Sequence, residues 1–229
     1  MALGLSYGRI ERFLIIAALF LAAMSTLMEI SYYLLDHKRL LGAVRQFSLA
    51  EEANIPTWYS ALLLASCALS LAVIGLTRPT EKGSYRRHWL ILSLIFVYMS
   101  MDEAAVIHEM SIRPVREALD LSGAFYYAWT LPAAVLMAIF LFSYRGFLRH
   151  LPATSRNRFV LAGLIFVAGA FGTEFILSYL WDVHGDDFAY GMLNVLQETM
   201  EITGASLFLS ALLRHLAAQG DQVLVEIKN

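Results

Sequence analysis

Six carboxylates sit inside apolar, helix-length stretches that contain no Lys or Arg to answer them: Glu29, Asp102, Glu103, Glu174, Glu198 and Glu201. A charge in the bilayer core costs at least roughly 2.5–3.5 kcal/mol, even on the gentlest insertion scale. Such groups are protonated, solvated in a polar cavity, or neutralised by a bound cation. Each option points to function.

The stretches themselves have the length of membrane spans. About 20 mostly apolar residues cross the hydrocarbon layer, and six segments qualify, near 13–35, 56–77, 89–108, 125–144, 159–181 and 189–213. The chain is 59% hydrophobic and 16% charged, against about 45–50% and 25% for soluble domains. These features predict an all-α polytopic membrane protein, a single six-span domain over residues 1–229 whose short loops leave no room for a soluble catalytic domain. The first apolar run follows Arg9 and Arg12 and continues to Leu35. It exceeds the roughly 7–15 residues of a cleaved signal core and reads as a retained span. A net charge of −2 with no basic run excludes a nucleic-acid partner. The single Cys67 excludes disulfides within the chain and Cys-based metal centres, and reads as a small packing residue.

Loop basicity gives an orientation. Arg9 and Arg12, then Arg78, Lys82, Arg86 and Arg87, then Arg145, Arg149, Arg156 and Arg158, and finally Arg214 mark one side. The other side holds Lys38, Arg39, Arg45, Arg113 and Arg116, and its last loop has no Lys or Arg. The positive-inside rule then places both termini in the cytoplasm, in a plasma or bacterial inner membrane.

Counting about 1.5 Å per residue from the basic helix ends puts all six carboxylates about 20–25 Å up, in one layer near the external face. His108, Glu109 and Asn194 come out about 30–33 Å up, as a second tier. Asn194, Glu198 and Glu201 follow an i, i+4, i+7 stripe. Asp102 and Glu109, seven apart, share a face of span three, with Glu103 and His108 flanking it. Ala162, Gly163, Ala168, Gly169, Ala170 and Gly172 in span five predict close helix contact.

Carboxylates with one imidazole suit a hard or borderline divalent ion: iron, manganese, zinc or calcium. Soluble di-iron bundles also draw carboxylates from four helices, but they use Glu-x-x-His pairs that this chain lacks. Metal hydrolase, phosphate-loop, dinucleotide and nucleophile-elbow signatures are absent. With no lysine inside a span, a retinal Schiff base is excluded. The chain also lacks the three-histidine zinc set of alkaline-ceramidase-type membrane hydrolases and has one expected span fewer, so its acidic 51–54 stretch establishes no relationship to them.

The first connection reads as a short interfacial helix over Lys38–Phe47. A capping box at Ser48–Glu51 and a helix start at Pro56 follow it. Glu51, Glu52 and Asn54 then lie above the carboxylate layer, where they either close it as a lid around the ligands or cap two helices. Asp182, His184, Asp186 and Asp187 form either a second cation site or a solvated turn. Glu109 either moves protons or pairs with Arg113 one turn on.

Two functions of different class follow. One is a mono- or di-metal membrane enzyme acting on a lipid-like substrate, with Asp102, Glu103, Glu174, Glu198, Glu201 and Glu29 around the metal and His108 and Glu109 moving protons. The other is a proton- or cation-coupled transporter using the same carboxylates. Transport sites favour broken helices near the midplane. A layer above the midplane and the absence of proline from spans three, five and six lean the reading toward the enzyme. A non-catalytic subunit of a membrane complex is a third possibility.

Overall fold

Helix ends in this protein are set by local polar caps and by residues in the left-handed region. The computed structural model describes residues 6–37, 40–81 and 83–218, so Lys38, Arg39 and Lys82 lie outside the described residues. The helices are α1 (Tyr7–Tyr33), α2 (Ala43–Phe47), α3 (Ile55–Thr77), α4 (Arg86–Ala105), α5 (Ile112–Leu119), α6 (Thr130–His150), α7 (Ala153–Val167), α8 (Glu174–His184) and α9 (Phe188–Ala218). Among the described residues there is no strand. Asn54 caps α3 by accepting from Thr57 N at 3.0 Å, and Pro56 occupies its first turn, where a missing N–H costs nothing. Asp187 starts α9, its Oδ1 accepting from Tyr190 N at 2.8 Å.

Four helical runs are each long and apolar enough to cross a membrane: α1, α3, α6 and the continuous Ala153–His184. The pair α4 and α5 meets the same measure together, bent by 79°. Among the described residues this makes a multi-pass membrane protein with four to five candidate spans. The 31-residue α9, with Glu198, Glu201 and Arg214 in it, is not among them. Outward-facing side chains such as Ile16, Leu69, Leu94, Leu136 and Phe142 are about two-thirds exposed, as a lipid-facing surface should be.

Helix α9 is central, packed by α1, α3 and α7, while α4 lies along α3. The apolar core runs along the bundle and is most aromatic toward the arginine-rich end, where Trp89 meets Phe147 at 4.8 Å and Phe159 meets Phe208 at 5.2 Å. There His215 clasps three elements: Ser155 Oγ lies 2.9 Å from Nδ1, Arg78 Nη2 lies 3.3 Å from Nε2, and the ring stacks on Trp89. Cys67 is fully buried in this core, as its sequence context predicts.

Several expectations need correction. The third apolar segment, expected to run to His108, ends as a helix at Ala105 because Val106 turns left-handed at φ 52°. The Asp102 carboxylate then captures His108 N at 2.7 Å and starts a new turn. His108 and Glu109 therefore do not continue the face of α4, and the shared-face argument fails. Proline-free spans are not regular either: Ala168–Thr173 is a π-helical segment inside the α7–α8 run. The interfacial helix shrinks to a 3-10 turn at Leu40–Gly42 followed by α2. No helix follows Ser48, so the capping box does not form; Ser48 instead ends α2. Of the small residues in span five, Gly169 does make a tight contact, with Met200 and Gln197, but Gly163 and Gly172 face open space.

Candidate functional site

Helices α3, α4, α7 and α9 enclose a small cavity, with Phe166 as the contribution of α7. Its walls include Glu103 from α4, Glu198 and Glu201 from α9, and Ser60 from α3. The space measures about 10 Å³, close to what one water or one bare cation occupies. Ser60 reaches Glu103, and Gln197 reaches Glu201. The i, i+3 spacing of Glu198 and Glu201 turns both toward the same space. Among the described residues no three His, Cys, Asp or Glu side chains are drawn onto a common metal-ligating point.

Beside the cavity, Glu174 opens α8 directly after the π-helical segment and is buried. Its Oε1 accepts from Trp129 Nε1 at 2.8 Å, and its Oε2 accepts from Gln197 Nε2 at 3.2 Å. Gln197 Oε1 in turn lies 3.1 Å from the Thr173 hydroxyl. A hydrogen-bonded chain thus runs from Trp129 through Glu174 to Gln197, with Glu201 one turn further along α9.

Above these groups sits an Asp–His pair. Asp102 Oδ2 lies 2.9 Å from His108 Nδ1 while Oδ1 accepts from the His108 backbone. A carboxylate at Nδ1 places the ring proton there, leaving the lone pair on Nε2. The imidazole packs 4.9 Å from the Trp129 ring. Both Asp102 oxygens are thereby engaged by His108, which makes Asp102 an orienting group. Glu109 is exposed beside the pair, and Arg113 bonds Glu117 at 2.7 Å rather than Glu109.

Glu52, from the loop before α3, stands within electrostatic reach of Glu109, His108 and Asp102. It also acts on Glu103, Glu198 and Glu201 below. Glu52 is solvent-exposed, and partial loss of hydration among its neighbours first, then the like charge of Glu109, holds it above its ordinary value of 4.5.

The remaining expected residues lie elsewhere. Glu29 is buried against Ser48, whose hydroxyl donates to Oε1 at 2.6 Å, and its charged neighbours are Asp186 and Glu51. Asn54 is a helix cap, and Asn194 donates back to Tyr190 O at 3.2 Å. In the last loop Asp182 accepts from Gly123 N, Asp186 from the Tyr33 hydroxyl and Asp187 from Tyr190 N, so each carboxylate ties chain segments together. Trp129, Gln197 and Ser60 are the site residues that sequence reasoning missed. Gln197 carried the same signal as the carboxylates, a polar group in an apolar span.

The sequence pattern of one protein family, described as a domain of unknown function (DUF8692), fits residues 12–216. The chain belongs to that family. The match to DUF8692 runs from Arg12 in α1 to Leu216 in α9, so the cavity, the Asp–His pair and Glu29 all fall within it. No curated protein and no solved structure matches the chain.

Proposed function

We propose that this protein binds a divalent cation in its outer half and serves as a membrane metalloenzyme for a lipid-like or amphiphilic substrate. One observation carries the reading: Glu103, Glu198 and Glu201 line a single cavity of one-atom size, with no Lys or Arg in its wall. Desolvated carboxylates with no cationic side chain are answered by a proton or a metal ion, and oxygen donors suit iron, manganese, zinc or calcium. In this reading the three glutamates, which line one cavity without meeting at a common point, draw together on the ion when it binds, and Asp102 orients His108, whose Nε2 takes and returns a proton. Glu174 is held as an acceptor by Trp129 and Gln197 beside them.

Charge distribution supports both the cation and the orientation. Arg78, Arg86, Arg87, Arg149, Arg156, Arg158 and Arg214 lie at the helix ends beneath the aromatic core, whereas Glu51, Glu52, Glu109, Asp182, Asp186 and Asp187 lie in the connections at the opposite helix ends. An acidic outer face concentrates cations there, and arginines at the opposite end fit a cytoplasmic side holding both termini. On this view α9, about 46 Å long at 1.5 Å per residue, is the sixth span, and the membrane is the plasma or bacterial inner membrane.

A second reading, a proton- or cation-coupled transporter, is favoured by the two interrupted helices: the 79° bend after α4 and the π-helical segment before Glu174. Broken helices and π segments accompany ion sites in transporters. Elemental analysis after chelator washing separates the two. A near-stoichiometric metal that Glu198→Gln and Glu201→Gln both release is the expected result. Metal-free protein that drives proton flux in liposomes would overturn the enzyme reading in favour of the transporter.

A further inference from the structure

Glu29 is a buried carboxylate outside the cavity, and its surroundings give it a definite task. Only 4% of it is exposed. Ser48 Oγ donates to its Oε1, and a Cβ added to Gly191 would fall 2.7 Å from its Oε2 and equally close to the Tyr33 ring. The carboxylate is therefore wedged between α1, α9 and the segment that follows α2. That segment, Ser48–Asn54, is held along its length. Leu49 N donates to the buried Ser25 Oγ at 2.8 Å, and Ala50 N donates to Ser48 Oγ at 3.1 Å. Asn54 Nδ2 closes the loop on itself through Ser48 O at 2.6 Å and Glu51 O at 2.8 Å. Beside Glu52, Ala53 takes a left-handed φ of 55° that this closure imposes.

We propose that Glu29 is a positioning residue that, through Ser48, latches the Ser48–Asn54 strap so that Glu52 stands over the carboxylate cavity. Glu52 stands within electrostatic reach of both the Asp–His pair and the three cavity glutamates, and unlike Glu103 and Glu174, which share that reach from inside the bundle, it is solvent-exposed. It is thus placed for an incoming cation to meet between the acidic mouth and the cavity. This role for Glu52 rests on the cation reading; the latch itself does not.

The test uses the full chain in detergent and two independent measurements. Hydrogen exchange of the peptide covering residues 48–54 reads the latch in metal-free protein. Ser48→Ala and Glu29→Leu are expected to speed exchange at least tenfold, while Glu29→Gln, whose amide oxygen still accepts from Ser48, stays near the parent rate. Unchanged exchange in Ser48→Ala would overturn the latch even if Glu29→Leu fails to fold. Mn²⁺ titration reads the positioning. Ser48→Ala and Glu52→Gln each weaken binding, and the double variant is no weaker than Glu52→Gln alone, because both act through one side chain. Fully additive losses would sink the positioning role. A parent protein that binds no Mn²⁺ or other divalent ion would sink the cation reading while leaving the exchange result to decide the latch.

Discussion

The indole Nε1 of Trp129 donates to Oε1 of Glu174 across 2.8 Å, joining residues 45 positions apart. An indole N–H can only donate, so this oxygen of Glu174 acts as an acceptor. With Gln197 at the other oxygen, the carboxylate is pinned between the start of α6 and the middle of α9.

Replacing the indole tests that pin. Trp129→Phe keeps the ring near His108 but leaves Glu174 Oε1 without its donor, a loss of about 1–3 kcal/mol for a buried polar group. Thermal unfolding followed by a thiol-reactive dye reads it, since Cys67 is fully buried in the folded chain. Combination with Glu174→Leu should cost less than the sum of the two single changes.

Glycines on α9 and α7 should respond in opposite ways. A Cβ on Gly204 would sit 2.6 Å from Phe166 N and 2.8 Å from its Cα, so backbone must move. Overpacking of this kind costs about 1–3 kcal/mol or more. Gly163 has nothing within 4 Å of an added Cβ, and Gly163→Ala should be neutral or stabilise by up to about 1 kcal/mol through helix propensity. The same dye-based melting curve measures both.

Glu52 gives the pH dependence. Its folded-state value lies above the ordinary 4.5 because of partial desolvation and then Glu109. Below that ordinary value it is protonated in both states and contributes nothing. As pH rises through and beyond 4.5 the unfolded chain releases the proton first, so folding is increasingly opposed until the folded-state value is passed. In metal-free protein Glu52→Gln should therefore leave the melting temperature unchanged at pH 4 and raise it progressively toward pH 8. A difference that is constant with pH would contradict this.

His215→Phe tests the clasp at the opposite end. The aromatic stack on Trp89 survives, but the polar contacts with Ser155 and Arg78 do not. The expected loss is about 1–3 kcal/mol of stability, with no change in divalent-ion binding at the distant carboxylates. Melting and Mn²⁺ titration of the same sample separate the two effects.

Local chemistry was legible in the sequence and long-range geometry was not. Asn54 and Pro56 mark the start of α3 because a cap and a proline act on their own turn. The end of α4 has no such mark: Val106 adopts a conformation its branched side chain disfavours, and the reason is a side-chain bond from Asp102 to the following turn. Ser48 has the spacing of a cap, yet its hydroxyl goes to Glu29, 19 residues earlier. Counting residues along each span gives height, and of the residues so aligned Glu103, Glu198 and Glu201 line one cavity. Height says nothing about direction around the bundle, which is why Glu29 lies apart. Close contact at Gly191 and Gly204 likewise depends on what faces each glycine, here Glu29 and Phe166.

The π-helical segment Ala168–Thr173 has a consequence for how this chain tolerates changes of length. A π turn is an α-helix that has absorbed one extra residue. Removing a single residue there would let the segment wind as an ordinary α-helix while Glu174, Leu177 and Ser178 keep their facing. Rewinding the same residues as α, with none removed, would instead turn every later side chain on that helix by about 100°. Glu174 would then leave Trp129 and Gln197 together. The wide turn is what lets this run carry its extra residue and still aim Glu174.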